Sequence, residues 1–314
     1  MMRVTAFATL AGLGSLLCCD SSVAMTQPPA RPQVTLNHLY LVLDSATLAA
    51  VESSAFLANE FSHYRKATTQ SAGGRQWTGT NLFGERTYLE LYSSGVQGPV
   101  GLSGVALSVE QPGALDSVVT WLRGAFDVPI RRRLVEGVRA GRSFPWFHSV
   151  SVDHSRGDSL RQVYSWIMEI HPDFYRVVQQ DTTGPVSDIS RKRYLKRRYQ
   201  PERMVREIVG VSLALHPQIA IQFGSELKAL GWAVEGSAEP GRFRALGPDA
   251  DIVVVPIAPG DHFGIRELRF ALNRGPTALR IHQLGSSRLE LCPTQARWTF
   301  GVSAAAVLPP PLSC

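Results

Sequence analysis

The sequence is poor in cysteine, with four in 314 residues, and it lacks the short motifs that mark several classes of enzyme. It contains no GxSxG nucleophile elbow, no phosphate-binding loop, no dinucleotide fingerprint and no CxxC pair suited to zinc. Nothing in it therefore points to serine or cysteine nucleophilic catalysis. Beyond the N-terminus it also lacks an apolar run of the ~20 residues that a membrane-spanning helix needs.

The N-terminus has the composition of an export signal. The positive charge of Arg3 is followed by an apolar stretch from Val4 to Leu17 and then by small residues, which is the pattern of a secretory signal. Cleavage is predicted after Ala24, which makes residues 1–24 the signal peptide. The alternative is a lipoprotein box with Cys19 as the lipidated residue. Both predict an exported protein that is periplasmic, secreted or lipid-anchored to the cell envelope.

Export also bears on the cysteines. Cys18 and Cys19 belong to the signal, which leaves Cys292 and Cys314. In an oxidising compartment these two are expected to form a disulfide that ties the proline-rich tail to a strand. The chain-entropy model assigns such a bridge roughly 3 kcal/mol of stabilisation. Two free thiols are the alternative.

The spacing of apolar residues recurs in the order strand, helix and three strands. The first copy begins with the strand Leu36–Leu43 and continues with helical spacing over 46–64. Further copies begin near Leu102 and Ile208, and a shortened fourth copy, with no room for a full helix, begins near Ile265. The pattern predicts an α+β fold of paired βαβββ modules that form cupped mixed sheets.

The modules are expected to form two domains. A proline-rich spacer at 25–33 precedes the first domain, which is predicted at 34–180. A basic linker helix at 181–207 leads to a second, partly degenerate domain at 208–314.

The linker contains an uneven concentration of positive charge. Between Ser190 and Arg206 there are eight basic residues and one acid, Glu202. One interpretation is a solvated helix between the two halves. The other is a docking surface, Arg191–Arg206, for acidic lipid or an anionic polymer. Nucleic acid is not expected as a partner, because no nucleic-acid motif accompanies the run and export removes the usual partner.

Two strand motifs carry a resemblance to a known family. NHLYLVL, from Asn37, and YLELY, from Tyr88, resemble the vicinal oxygen chelate superfamily, which includes glyoxalase I, bleomycin resistance proteins and extradiol dioxygenases. The resemblance covers nearly the whole chain after the signal and is clearest from Val34 to Asp173. It implies a cup between paired modules, with metal ligands on the first and last strand of each module.

Carried over residue by residue, the resemblance implies three metal ligands: His38, Glu90 and Glu169. The fourth position falls on Gly104, which cannot bind a metal. One imidazole and two carboxylates suit Mn, Fe(II), Ni or Zn. A metal there would polarise a substrate with adjacent oxygens in a lyase, isomerase or dioxygenase reaction. In the second half Glu290 takes the last-strand position, but no metal is expected there.

Alternation along a strand places Glu90 on one face with Tyr88 and Tyr92, and this face is expected to line the cup. His148 and His171 are candidates for the missing ligand or for a base. The residues expected to line the pocket are Tyr40, Trp77, Tyr88, Tyr92, His148 and His171.

Two alternatives to a metal-dependent enzyme remain open. The cup could bind a small-molecule ligand without a metal, with its buried carboxylate held by a tyrosine or by an arginine such as Arg86 or Arg288. The chain could instead be an envelope interaction protein that docks through its basic helix. The leading hypothesis is a small-molecule site in the first domain, either enzyme or binder.

Overall fold

The computed structural model describes residues 32–154, 162–182, 184–258, 260–301 and 312–314. The predicted signal peptide, Cys19 and most of the spacer lie outside the described residues, so export and lipidation stay predictions. The chain from Pro32 onward forms one compact unit, and the predicted domain boundaries also stay predictions. In the part of the chain that the structure describes, no helix is long and apolar enough to cross a membrane.

The first of two eight-stranded mixed sheets contains two modules. Its strands are β1 (Thr35–Leu43), β2 (His63–Gln70), β3 (Gln76–Phe83), β4 (Tyr88–Ser93), β5 (Ser103–Ser108), β6 (Ile130–Arg139), β7 (Arg142–Val152) and β8 (Val163–Ile170). Their order is β2-β3-β4-β1-β5-β8-β7-β6. β1 pairs with β4, and β5 with β8, in parallel, while β1 and β5 are antiparallel neighbours at the centre. The predicted α+β class with paired βαβββ modules is confirmed.

The second sheet repeats this order with one change. Its strands are β9 (Val205–Leu215), β10 (Ala233–Gly236), β11 (Phe243–Leu246), β12 (Asp251–Pro256), β13 (Gly264–Leu272), β14 (Arg280–Leu284), β15 (Ser287–Leu291) and β16 (Gln295–Thr299). β9 and β12 are parallel, but β13 and β16 are antiparallel. The described chain between β13 and β14 contains no helix, as the sequence predicts. In the other modules a helix between the first and second strands returns the chain, so the first and last strands run in the same direction. Without that helix the chain reverses one time fewer, and the last strand runs opposite to the first.

The helices are short and mostly follow the first strand of a module. They are α1 (Ser45–Glu52), α2 (Ala114–Ala125), α3 (Pro172–Phe174), α4 (Arg191–Leu195) and α5 (Pro217–Ala229), with π-helical segments at Leu57–Phe61 and Tyr175–Gln179. The helical spacing over 46–64 therefore overestimates α1. Oγ of Ser54 accepts a hydrogen bond from the backbone N–H of Leu57 at 3.3 Å, and such local bonds compete with continuation of a helix.

The predicted basic linker helix at 181–207 is reduced to α4, and its first arginines have partners inside the protein. Arg191 and Arg193 are both buried. Nη1 of Arg191 lies 2.6 Å from a carboxylate oxygen of Asp249, and its Nε donates to Glu110 at 2.8 Å. Docking of the basic run on acidic lipid or polymer stays a prediction, and these two arginines are not available for it.

One hydrophobic cluster covers the helix-facing sides of both sheets. In β1 the alternate residues Leu39 and Leu41 enter this cluster, while Tyr40 packs on the other side of the sheet. Fully burying a leucine side chain is worth about 1.5–3 kcal/mol. The leucines therefore hold this face of β1 against the helices, which leaves the opposite face to line a cup.

The predicted disulfide between Cys292 and Cys314 is confirmed, with the two Cα atoms 5.3 Å apart. It holds the last described residues beside the end of β15. The backbone N–H of Leu312 donates to the carboxylate of Glu290 at 3.3 Å, so the tail lies over the second sheet.

Candidate ligand-binding site

The concave face of the first sheet, hereafter the first cup, is lined by alternate residues of its central strands. It contains a cavity of about 200 Å³. The lining includes His38, Tyr40, Trp77, Tyr88, Glu90, Tyr92, Trp166 and Met168. The structure thus brings together two of the three predicted metal ligands and four of the six predicted pocket residues.

His38 lies on β1 at the base of the first cup, and burial decides its charge. Its ring stacks on Tyr88, with centroids 4.3 Å apart, and meets Trp166 edge-on. Nδ1 donates to Oδ1 of Asn37 at 2.8 Å, which leaves Nε2 as an acceptor in the neutral ring. Burial lowers the pKa of His38 from 6.5 to about 3. The imidazole is therefore neutral over the physiological range.

Glu90 lies on β4 and is hydrogen-bonded within its own strand. The hydroxyl of Tyr92 donates to its Oε2 at 2.7 Å. Burial raises the pKa of Glu90, while this hydrogen bond and the nearby Arg198 oppose the rise. Burial also raises the pKa of the Tyr92 phenol, so the hydroxyl stays a donor. The partner of the Glu90 carboxylate is therefore a tyrosine and not Arg86, which forms an ion pair with Glu207 at 2.7 Å.

Glu169, the third predicted metal ligand, lies on the other face of β8. Its two carboxylate oxygens accept the backbone N–H groups of Gly113 and Leu115, at the start of α2, each at 3.0 Å. A negative charge at a helix N-terminus is favourable. From β8 it is Trp166 and Met168 that face the cup. The assignment of Glu169 to the position of Glu90 is therefore out of register by an odd number of residues, and in a strand such a shift moves a side chain to the opposite face.

The first cup does not fit the chelated metal that the resemblance implies. Its donors of the metal-binding type are His38 and Glu90. Beside His38 on β5 lies Ala106, which offers no ligand atom. Met168 offers only a soft thioether, whereas Mn and Fe(II) prefer oxygen and nitrogen. Among the described residues, no group of three or more His, Cys, Asp or Glu side chains is arranged to hold a metal ion.

His148 and His171, the other two predicted pocket residues, lie beside Glu169 and not in the first cup. His148 is directly opposite Glu169 on neighbouring strands, and the two histidine rings have centroids 5.8 Å apart. Nδ1 of His171 accepts the backbone N–H of Asp173 at 3.2 Å. Partial burial lowers the pKa of both histidines. Neither is placed to act on a ligand in the cup.

A larger cavity of about 470 Å³ adjoins the first, and the two share Thr69, Tyr88, Glu90 and Trp146. Four arginines line it: Arg65, Arg139, Arg197 and Arg198. Sequence reasoning missed these residues and Trp166. Alternation with Met168 would have found Trp166 had the register of β8 been known.

The concave face of the second sheet carries ion pairs. Asp251 accepts from Arg244 at 2.7 Å and also from Arg269. Glu290, buried, accepts from Arg297 at 2.9 Å and from Arg288. Glu290 lies on β15, whereas the strand beside β13 is β16. Its predicted last-strand position is therefore wrong, because without a helix in this module β15 is the middle strand of a three-stranded meander.

The paired modules and both sheets fall within one family match. A model for the Family of unknown function (DUF5829) matches residues 36–300. The chain belongs to DUF5829. No curated protein matches this DUF5829 chain. A solved structure titled as a hypothetical protein from Staphylococcus aureus is similar in fold, with 8% identity and a TM-score of 0.51, over 82% of this chain and 98% of its own.

Two further solved structures show a weaker likeness to this DUF5829 chain. A xylose isomerase-like TIM barrel/4-hydroxyphenylpyruvate dioxygenase fusion protein has 11% identity and a TM-score of 0.39, over 76% of this chain and 37% of its own. A catechol 2,3-dioxygenase has 13% identity and a TM-score of 0.33, over 83% and 89% of the two chains. Scores this low support no inference about activity.

Proposed function

We propose that this protein binds a small molecule in the first cup without a metal and holds an aromatic or apolar group between its rings. The proposal rests on the residues that line the first cup. Aromatic side chains surround its cavity, and among the lining residues only His38 and Glu90 offer donors that metals prefer. Offset and edge-on ring contacts are worth about 0.5–1.5 kcal/mol each beyond the area they bury. Several such contacts together can hold a ligand.

Two polar groups at the base of the first cup would orient the ligand. Nε2 of His38 and Oε1 of Glu90 have no hydrogen-bond partner among the described residues. The other polar atom of each group is paired, Nδ1 of His38 with Asn37 and Oε2 of Glu90 with Tyr92. Nε2 of the neutral ring accepts a hydrogen bond, so it suits a ligand hydroxyl or N–H group. Apolar walls with a few placed polar groups are typical of small-molecule sites.

The family resemblance and the disulfide extend the proposal. The module topology and the strands NHLYLVL and YLELY support kinship with ligand-binding, metal-free relatives of the vicinal oxygen chelate superfamily. We also propose that binding takes place outside the cytosol. The predicted signal peptide and the bridge between Cys292 and Cys314 both suit an oxidising compartment.

A neutral aromatic probe tests the proposal. 2-Naphthalenemethanol should bind the purified protein saturably at one site, as followed by tryptophan fluorescence and calorimetry, with or without EDTA. Trp166→Ala removes one wall of the cup and should weaken binding about fivefold, which corresponds to one lost ring contact. Trp121→Ala, on α2 outside the cup, is the matched control and should leave affinity unchanged.

Metal analysis separates this proposal from a metal-dependent enzyme. Binding that requires added Mn, Fe, Ni or Zn and disappears in His38→Ala would contradict it. So would stoichiometric metal in the purified protein. If 2-naphthalenemethanol does not bind the unsubstituted protein saturably, and circular dichroism shows that the protein is folded, the first cup is not an aromatic site.

A further inference from the structure

We infer that the two adjoining cavities bind one organic anion. Its aromatic or apolar body lies in the first cup, and its acidic group lies among the arginines of the larger cavity. This inference rests on the proposed function, because it names the chemical class of the ligand for the same site.

The charges that line the larger cavity are unbalanced. Four arginines face one acidic residue, Glu90. The arginines come from three separate parts of the chain, with Arg65 on β2, Arg139 on β6, and Arg197 and Arg198 just after α4. The tertiary structure therefore gathers them around one space. A concave site lined by one sign of charge concentrates its field and attracts the opposite charge.

These arginines differ from the ion-paired arginines of the second concave face in having no carboxylate partner. Among the described residues, none of the four forms an ion pair with an Asp or Glu side chain. In the second sheet, by contrast, Arg244, Arg269, Arg288 and Arg297 all contact a carboxylate. The second sheet thus neutralises its own charges, whereas the larger cavity leaves room for a carboxylate or phosphate supplied by a ligand.

Two of the arginines are already held in place. The guanidinium of Arg198 lies 5.2 Å from the ring centre of Phe83 and 5.7 Å from that of Tyr194, and cation–π contact of this kind restrains its motion. Nη1 of Arg139 donates to the backbone oxygens of Val177 at 2.9 Å and of Val178. A guanidinium has five N–H donors, so both arginines keep donors for an anion at little further ordering cost.

Glu90 marks the boundary between the two regions of the site. It lines both cavities, and its carboxylate is turned to the Tyr92 hydroxyl at 2.7 Å. An acidic ligand group would avoid Glu90 and approach the arginines, because like charges repel. The ligand is therefore oriented, with its apolar end toward His38 and Tyr40 and its acidic end outward.

Matched probes on the full protein test this inference. 2-Naphthoate and 2-naphthalenemethanol share one ring system and differ in charge. The anion should bind about tenfold more tightly at low salt, and this advantage should shrink at 0.5 M NaCl because exposed charges are screened. Calorimetry and tryptophan fluorescence measure both affinities.

Variants locate the anion. Arg198→Gln and Arg65→Gln should each reduce the affinity for 2-naphthoate about tenfold and leave 2-naphthalenemethanol within about twofold. Arg123→Gln, at an exposed position on α2 outside both cavities, should change neither. Arg65 is exposed on β2, so its variant keeps the test decisive even if the Arg198 variant unfolds.

The outcomes separate this inference from the proposed function. If the neutral probe binds as tightly as the anion, the cup is a ligand site and the anionic class is wrong. If the anion binds more tightly but neither arginine variant affects it, the assignment to the larger cavity is wrong. If neither probe binds, the proposed function fails, and this inference fails with it.

Discussion

The two concave faces occupy matching positions in sheets of nearly the same topology, yet one contains cavities and the other contains ion pairs. In the first sheet His38 lies beside Tyr88 on the parallel strand β4. In the second sheet Gly210 lies beside Asp251 on the parallel strand β12, and Asp251 is paired with Arg269. The second face therefore pairs these charged groups with one another, whereas at the first face rings and guanidinium groups line cavities.

A glycine in each face shows how the space is used. A methyl group at Gly210 would lie 2.2 Å from the guanidinium of Arg269 and 2.5 Å from the carboxylate of Asp251. A methyl group at Gly104 would lie 2.1 Å from the ring of Tyr40. The same small residue thus makes room for an ion pair in one sheet and for an aromatic wall in the other. What distinguishes the face that contains cavities from the face that contains ion pairs is the neighbouring side chain and not the backbone.

The largest effect is expected from breaking the charge network of the second face. Glu290→Gln removes the negative charge that faces Arg288 and Arg297, whose side chains are only 14% and 11% exposed. Removing one partner of a buried ion pair costs about 3–5 kcal/mol, and urea unfolding measures this loss. Glu90→Gln in the first cup is the matched substitution and should cost less than about 1 kcal/mol, because the amide oxygen still accepts from Tyr92. Equal losses of unfolding free energy in the two variants would show that the ion pairs of the second face are no more important for stability than the hydrogen bond of Glu90 in the first cup.

A smaller effect is expected from pH, and it belongs to the first cup because His38 has no counterpart at Gly210. The folded protein keeps His38 neutral down to about pH 3, whereas the unfolded chain takes up a proton near pH 6.5. The unfolded state therefore binds more protons between these values, and the free energy of unfolding falls as the pH falls. The pKa of His38 contributes a loss of about 2 kcal/mol between pH 6.5 and 4.5.

Urea unfolding at several pH values isolates the contribution of His38. His38→Gln should flatten the pH dependence relative to the unsubstituted protein by that amount. His262→Gln changes an exposed histidine and should not. An unchanged slope in the His38 variant would mean that the imidazole takes up its proton in the folded state.

The smallest effect is expected from matched changes of the two glycines. Gly104→Ala forces a methyl group against the buried ring of Tyr40, and overpacking of this kind costs about 1–3 kcal/mol. Gly210→Ala should cost less, because the nearest atoms belong to the end of the partly exposed Arg269 side chain, which can move. Thermal unfolding compares the two, and affinity for 2-naphthalenemethanol should fall only in the Gly104 variant. If Gly210→Ala lowers the unfolding temperature more than Gly104→Ala, the ion pair of Asp251 and Arg269 is more rigid than the ring of Tyr40.

Much of the fold was predictable because the central strands have a clear alternation. The predicted strand Leu36–Leu43 lies within β1. The strands that were missed are β6, β10, β14 and β16. β6, β10 and β14 lie at edges of the sheets, and β6 reads IRRRLVEGVR. An edge strand buries little of either face, so its sequence does not show the period of two that marks a half-buried strand.

The sequence by itself determined the module order, the cysteine pair and the faces of β1 and β4. In each of these strands leucines alternate with polar or ring-bearing side chains, and the leucines pack in the cluster that faces the helices. The tertiary structure alone decided that Trp166 and Met168, and not Glu169, face the first cup. Alternation determines which residues share a face, but in β8 both faces carry apolar side chains, so the pairing of β8 with β5 determines which face is turned inward. The arginines of the larger cavity were likewise brought together only by folding, because residues 65, 139 and 198 are distant in sequence and share no motif.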